Sequence, residues 1–168
     1  MFTGHDLSEG TAEVLASLKH NGIKGSFFLT GDYLRTPGFK PYVRQMLSDG
    51  HWISGHSDKH ILVSDWGSRE VLLVKRDSFV ADLKANLKAL EGAGVKREQL
   101  SYYIPSYEWY NSETVDWAKA VGLNSVNYTP GIRTAADYTY PEMGGRYLSS
   151  TAILDNLWSY EARYGLNG

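Results

Sequence analysis

Ile23-Lys24-Gly25-Ser26-Phe27-Phe28-Leu29-Thr30 is the stretch that sorts this chain into a fold class. Phe27, Phe28 and Leu29 are apolar in succession, so a strand through them has both faces buried. That is the pattern of a parallel sheet covered by helices. Gly31-Asp32 breaks the run. On its N-terminal side Val14, Leu15 and Leu18 form the apolar stripe of a helix, with Asp6 and Ser8 as candidate caps and Asn21-Gly22 as its end. Before that, Met1–Thr3 reads as the last part of an earlier strand.

Downstream the alternation continues. After Pro37-Gly38 a helix runs to about Leu47, with Tyr42, Val43, Met46 and Leu47 facing inward, and Asp49-Gly50 stops it. His51–Ser54 is a short strand. Trp66-Gly67-Ser68 reads as loop, and the apolar run Val71–Val74 as a segment that could begin a helix. From Ser78, Phe79, Leu83, Leu87 and Leu90 recur at helical spacing as far as Gly92. Tyr102–Ile104 is a strand halted by Pro105. A helix over Glu113–Val121 follows a Ser112 cap, and Ser125–Tyr128 is another strand. Thr129–Leu148 is rich in turn residues, and a final amphipathic helix covers Ala152 to about Tyr164. Strands alternating with helices predict an α/β fold, a parallel sheet or barrel, in one domain over residues 1–168.

The chain has 168 residues and a formal charge of −2 without a basic run, which excludes nucleic acid as a partner on electrostatic grounds. It has no cysteine, hence neither disulfide nor thiolate chemistry. No apolar run reaches the length of a membrane span, and the N-terminus lacks a signal-peptide pattern. Twelve tyrosines and five tryptophans exceed what a core of this size needs and suit stacking on sugar rings.

In such folds functional residues collect at the carboxyl ends of the strands. Two segments there carry chemistry. Gly55-His56-Ser57-Asp58-Lys59-His60 holds two imidazoles four residues apart, a spacing that on a helical turn puts both on one face. Thr3-Gly4-His5-Asp6 ends a strand in an acid. Asp6, His56 and His60 together make a 2-His-1-carboxylate set that leaves metal positions open for water and substrate.

With these segments in order, the chain resembles the polysaccharide deacetylase family, the NodB homology domain of carbohydrate esterase family four. That family opens with a strand ending Thr-Phe-Asp-Asp; here it reads Thr3-Gly4-His5-Asp6. Its next strand reads Ala-Thr-Phe-Phe-x-x-Gly, against Gly25-Ser26-Phe27-Phe28-Leu29-Thr30-Gly31. Its metal motif His-Ser/Thr-x-x-His matches His56-Ser57-Asp58-Lys59-His60, and its Arg-Pro-Pro-Tyr motif matches Ile104-Pro105-Ser106-Tyr107. The resemblance spans about residues 2 to 128. It implies a distorted (β/α) barrel, here incomplete at both ends. It also implies a divalent metal, zinc above all, and removal of acetyl groups from a carbohydrate. Asp6, His56 and His60 then hold the metal, the backbone N–H of Tyr107 helps stabilise the oxyanion, and Trp109, Tyr110 and Tyr128 line a sugar cleft.

The chain also departs from the family. The catalytic-base Asp is replaced by His5, and the Arg that holds that base by Ile104. The two losses are coherent, since an Arg without its carboxylate would be a buried unpaired charge. Asp137 is a loose match for the late Asp motif. The terminal Leu-x-His is absent: either that acid is not used or the chain is cut before the last strand, the preferred reading, with open sheet edges that favour self-association. His5 reads three ways: a replacement base, a further metal ligand, or a bystander. Asp58 and Asp32 are the nearest spare carboxylates for the base role. A carbohydrate-binding pseudoenzyme that keeps fold and metal is the alternative function; an amide hydrolase acting on a small cyclic amide is a third. The family resemblance points to a secreted or periplasmic setting.

Overall fold

The five-stranded parallel sheet of this computed structural model is ordered as the chain is: β1 (Phe2–Gly4), β2 (Ser26–Leu29), β3 (Trp52–Gly55), β4 (Tyr102–Tyr103) and β5 (Asn124–Ser125). The structure describes residues 1–128 and 131–166. It falls into two compact units, Met1–Asn127 and Tyr128–Gly168. Parallel neighbours in sequence order need a crossover at every step. Crossovers of one hand put the helices on a single face, so the sheet is an arc of a barrel wall.

The register fixes which side chains face where. Gly4, Leu29, Gly55 and Tyr103 lie on one rung, and Phe27 pairs with Ile53 two rungs back. Phe27, Leu29, Ile53 and Tyr103 point to the helix-covered face and belong to the main core. That core is completed by Leu15 of α1 (Thr11–His20), Tyr33 and Leu34 of α2 (Gly31–Arg35), Val43 and Met46 of α3 (Lys40–Ser48), Phe79, Leu83, Leu87 and Leu90 of α4 (Arg76–Gly92), and Ala118 of α5 (Ser112–Ala120). Because strand side chains alternate, Phe28, Ser54 and the residues two further on face the opposite side. The ladder runs one residue past the strand ends: Thr30 N–H donates to Gly4, His56 N–H to Leu29, Ile104 N–H to Gly55 and Val126 N–H to Tyr103. Thr30, His56 and Ile104 therefore share a rung at the carboxyl end, on the inner face.

Several local expectations are corrected. Neither Asp6 nor Ser8 caps α1; Gly10 is the cap residue and gives no side-chain bond. Gly31-Asp32 does not simply end a strand, for α2 starts there, with the Thr30 hydroxyl accepting from Tyr33 N–H at 3.1 Å. Val71–Val74 is not helical. Ser64 and Leu72 form an antiparallel bridge instead, and α4 starts at Arg76. Asn111, not Ser112, caps α5, accepting from Thr114 N–H at 3.0 Å.

The second unit consists of 3-10 turns at Thr134–Ala136 and Pro141–Arg146 and of α6 (Ser150–Tyr164), which Ser149 caps through a bond from Ala152 N–H. Among the described residues no helix is long and apolar enough to cross a membrane.

Candidate active site

His56 is 2% exposed and donates from Nδ1 to the Ile104 carbonyl at 2.8 Å. A carbonyl can only accept, so the proton sits on Nδ1 and the lone pair on Nε2. That Nε2 lies 3.2 Å from Nε2 of His60. The two histidines do meet, but not as a helical turn. Residues 56–60 form a loop in which Ser57 (φ 70°) and His60 (φ 52°) are left-handed, and that coiling brings the second ring back to the first. Few non-glycine residues hold this conformation without external support.

The support comes from two helices. Asp82 of α4 accepts from the Ser57 hydroxyl (2.7 Å), Asp58 N–H (2.8 Å) and Lys59 N–H (3.0 Å). The Asp58 carboxylate is buried and accepts from Nη1 and Nη2 of the Arg35 guanidinium, at 2.8 and 2.9 Å. Asp58 is thus no spare base. Nor is Asp32, which pairs with Lys59 and Arg35, and these cations hold its carboxyl below the usual range. Asp82 and Arg35 were invisible to motif reading, since only the fold brings them to the loop.

His60 is sandwiched. The His5 ring lies parallel to it at 4.5 Å, and the Tyr107 ring is tilted on it at 4.3 Å. His5 Nδ1 is 3.3 Å from the Thr30 hydroxyl. Burial and, second, the neighbouring His60 push His56 down to about 3; burial and the neighbouring His5 push His60 down to about 4, with Asp6 pulling it partly back. Both rings are neutral at neutral pH, the form that binds a metal ion.

Asp6 lies in the exposed turn after β1, within electrostatic reach of His60. Among the described residues no three His, Cys, Asp or Glu side chains are gathered tightly enough to form a ligand group. The donor chemistry of the imidazole pair nonetheless suits a cation. Two nitrogens each about 2.0–2.1 Å from one tetrahedral ion lie about 3.3 Å apart, close to the 3.2 Å here.

Burial of these histidines makes folding acid-sensitive. Below about pH 6.5 the unfolded His56 takes up a proton that the folded one refuses, so stability is full above that pH and falls as pH drops toward 3. At pH 5 the metal-free protein is expected to be less stable than at pH 7 by about 2 kcal/mol from His56 alone. His60 adds less because it is partly exposed. Urea unfolding at both pH values in the presence of a chelator measures the difference.

Tyr107 (φ 60°) and Glu108 (φ 51°) make a second left-handed turn beside the pair. The Tyr107 ring continues into Trp66, edge-on at 5.5 Å, and Trp66 into Trp109 at 5.6 Å. Trp109 is fixed by its Nε1–H bond to the Asp65 carbonyl and is covered by the Arg69 guanidinium at 3.8 Å. Tyr110 packs against the core, and Tyr128 opens the second unit. Asp137 also lies in the second unit, where burial raises its carboxyl. Trp66, 57% exposed, had no motif to mark it.

A family model described as Polysaccharide deacetylase matches residues 3–126. An uncharacterised 30.6 kDa protein of Geobacillus stearothermophilus is 27% identical over 153 residues, covering 87% of this chain and 56% of its own length. Among solved structures, a family 4 carbohydrate esterase from Streptomyces lividans, in complex with acetate, superposes with a TM-score of 0.67 at 19% identity, over 92% of this chain and 70% of that one. A CE4 family pseudoenzyme from Bacillus anthracis gives 0.68 at 15% identity, over 94% and 49%. These structures share the fold, and this chain spans about half the length of the curated relative it matches. With the family pattern running through nearly three-quarters of its length, the chain belongs to the polysaccharide deacetylase family.

Proposed function

We propose that this chain carries the metal-binding end of a carbohydrate deacetylase. The reading rests on the two imidazole nitrogens 3.2 Å apart, one oriented by Ile104, at the carboxyl end of a parallel sheet in a polysaccharide deacetylase domain. His56 and His60 would hold a divalent cation, zinc by the softness of the donors, with Asp6 as the carboxylate ligand. The ion supplies Lewis acidity toward an acetyl carbonyl and lowers the pKa of water.

The chain's own groups do the rest. His5 takes the position of the family's base. Stacking on His60 and contact with the Thr30 hydroxyl hold this ring in place. Water adds to the acetyl carbon and its proton passes to His5. The backbone N–H of Tyr107 donates to the oxygen on which negative charge gathers. The C–N or C–O bond then breaks as His5 returns that proton to the leaving nitrogen or oxygen, giving acetic acid, which ionises to acetate, and a free amine or hydroxyl on the sugar. Trp66 and Tyr107 offer exposed ring faces for the pyranose beside the reacting acetyl group. Trp109, pinned by Asp65 and covered by Arg69, supports Trp66, and Tyr110 is partly buried against the core.

A second reading keeps fold and metal but not turnover. It is favoured by His5 and Ile104 at the two positions where the family's base and its Arg would stand. A pseudoenzyme of the same fold exists in Bacillus anthracis. Zinc binding by calorimetry, run beside acetate release from acetylated chito- and xylo-oligosaccharides, decides between them. Zinc with acetate release supports the deacetylase. Zinc without release supports the binder, and absence of zinc binding removes both.

Trp66→Ala is expected to raise KM for an acetylated tetrasaccharide about 5- to 10-fold with little change in kcat, as loss of one stacked ring predicts. Zinc affinity should stay the same. Steady-state kinetics against zinc titration of the same samples check this.

A further inference from the structure

We infer that Asp82 is a positioning residue, the group that sets the distance between the His56 and His60 rings. The consequence for metal rests on the function proposed above; the geometry does not. Three donors converge on this one carboxylate. The Ser57 hydroxyl and Asp58 N–H share Oδ2, and Lys59 N–H takes Oδ1. Successive backbone N–H groups can aim at one anion when the residue ahead of them is left-handed, and Ser57 is. The carboxylate therefore selects the unusual backbone of the loop, and that backbone carries His60 back onto His56.

The anchor is itself rigid. One turn further along α4, Asn86 is buried and donates to the Leu29 carbonyl at 3.0 Å. Its Oδ1 lies 2.5 Å from where a Cβ on Gly55 would sit, so α4 is seated directly on the strand that leads into the loop. The strand delivers His56, and the helix next to it delivers Asp82. The backbone of His60 is delivered by the loop between them, and its ring is then packed by His5 and Tyr107. Asp58, at the same turn, sends its carboxylate the other way, to Arg35. No other carboxylate in the described structure bonds the N–H groups of Asp58 and Lys59.

Asp82→Asn keeps the shape but replaces one acceptor oxygen with an NH2 that faces N–H donors. Zinc affinity of the full chain, by competition with a chelator, is expected to fall 10- to 100-fold, as for other groups that orient ligands. The thermal transition should remain cooperative. Ser57→Ala, which removes one of the three bonds, should show a smaller loss of about 3- to 10-fold. A second readout needs no metal. In the chelated, isotope-labelled wild type the His60 ring protons are expected to be shifted by the His5 and Tyr107 rings packed on it. In Asp82→Asn they should move to free-histidine positions while those of His51 stay in place. Unmoved His60 resonances in a folded Asp82→Asn protein overturn the proposal, as does zinc affinity within twofold of wild type. If Asp82→Asn does not fold, unmoved His60 resonances in Ser57→Ala overturn it equally. A wild type that takes up no zinc ends the deacetylase reading, and the resonance comparison still decides the role of Asp82.

Discussion

His56→Ala is expected to abolish zinc binding and acetate release together, with activity down at least about 1,000-fold. His56 is the better of the two histidines for this test because every feature around it is specialised for the neutral ring. It is buried, its Nδ1–H is committed to Ile104, and its free lone pair points at the His60 nitrogen. The alanine variant leaves the Ile104 carbonyl without that donor, at a cost of about 1–3 kcal/mol in stability. Loss of activity must therefore be read alongside a melt that shows the protein folded at the assay temperature. The same variant carries an internal control. Without His56 there is one proton less for the unfolded chain to take up, so the gap in stability between pH 7 and pH 5 should shrink. A folded His56→Ala protein that still released acetate would remove the mechanism.

Much of this site could be read from residue order, though partly for the wrong reason. The apolar run Phe27–Leu29 announced a parallel strand, and β2 lies inside the sheet between β1 and β3. The spacing of His56 and His60 announced a pair, and the rings do meet. The helical turn invoked to bring them together does not exist, because spacing alone cannot tell a helix from a left-handed loop whose conformation is imposed from outside. The imposing groups, Arg35 and Asp82, are 23 and 25 residues from their partners in the loop. Local pattern carries no trace of such pairings. Caps failed similarly. Asp6 and Ser8 had the right chemistry for α1, but the turn after β1 carries the chain on to Gly10 before the helix begins. Val71–Val74 is an apolar run that leaves helix and strand open, and the bridge from Leu72 to Ser64, a tertiary partner, decides it. Trp66 reads from its neighbours in sequence as loop and nothing more. Its significance comes from what it touches, Tyr107 and then His60.

Gly31→Ala is expected to destabilise the protein by about 3 kcal/mol and lower its melting temperature by roughly 6–12 °C. Gly31 has ordinary helical backbone, so conformational freedom is not the issue; space is. A Cβ there would stand 1.8 Å from Asp58 Oδ1 and 2.8 Å from Arg35 Nη1, inside the ion pair. Neither segment can retreat freely. Gly31 N–H donates to the Ser57 carbonyl and Asp32 N–H to the Asp58 carbonyl, so α2 and the ligand loop are tied backbone to backbone at this point. The methyl must therefore evict the carboxylate, leaving a buried charge without its guanidinium. Arg35, half exposed, can recover solvation, which keeps the cost near the lower end for a broken buried pair. The test is a double-mutant cycle with Asp58→Ala. If the penalty arises from collision with Asp58, adding Gly31→Ala to Asp58→Ala should cost under about 1 kcal/mol, a coupling of at least 2 kcal/mol. Equal penalties in both backgrounds would place the strain elsewhere, in the backbone of α2. Because the evicted carboxylate belongs to the segment between His56 and His60, the single variant should also weaken zinc binding. The double variant, relieved of the clash, should recover part of that affinity.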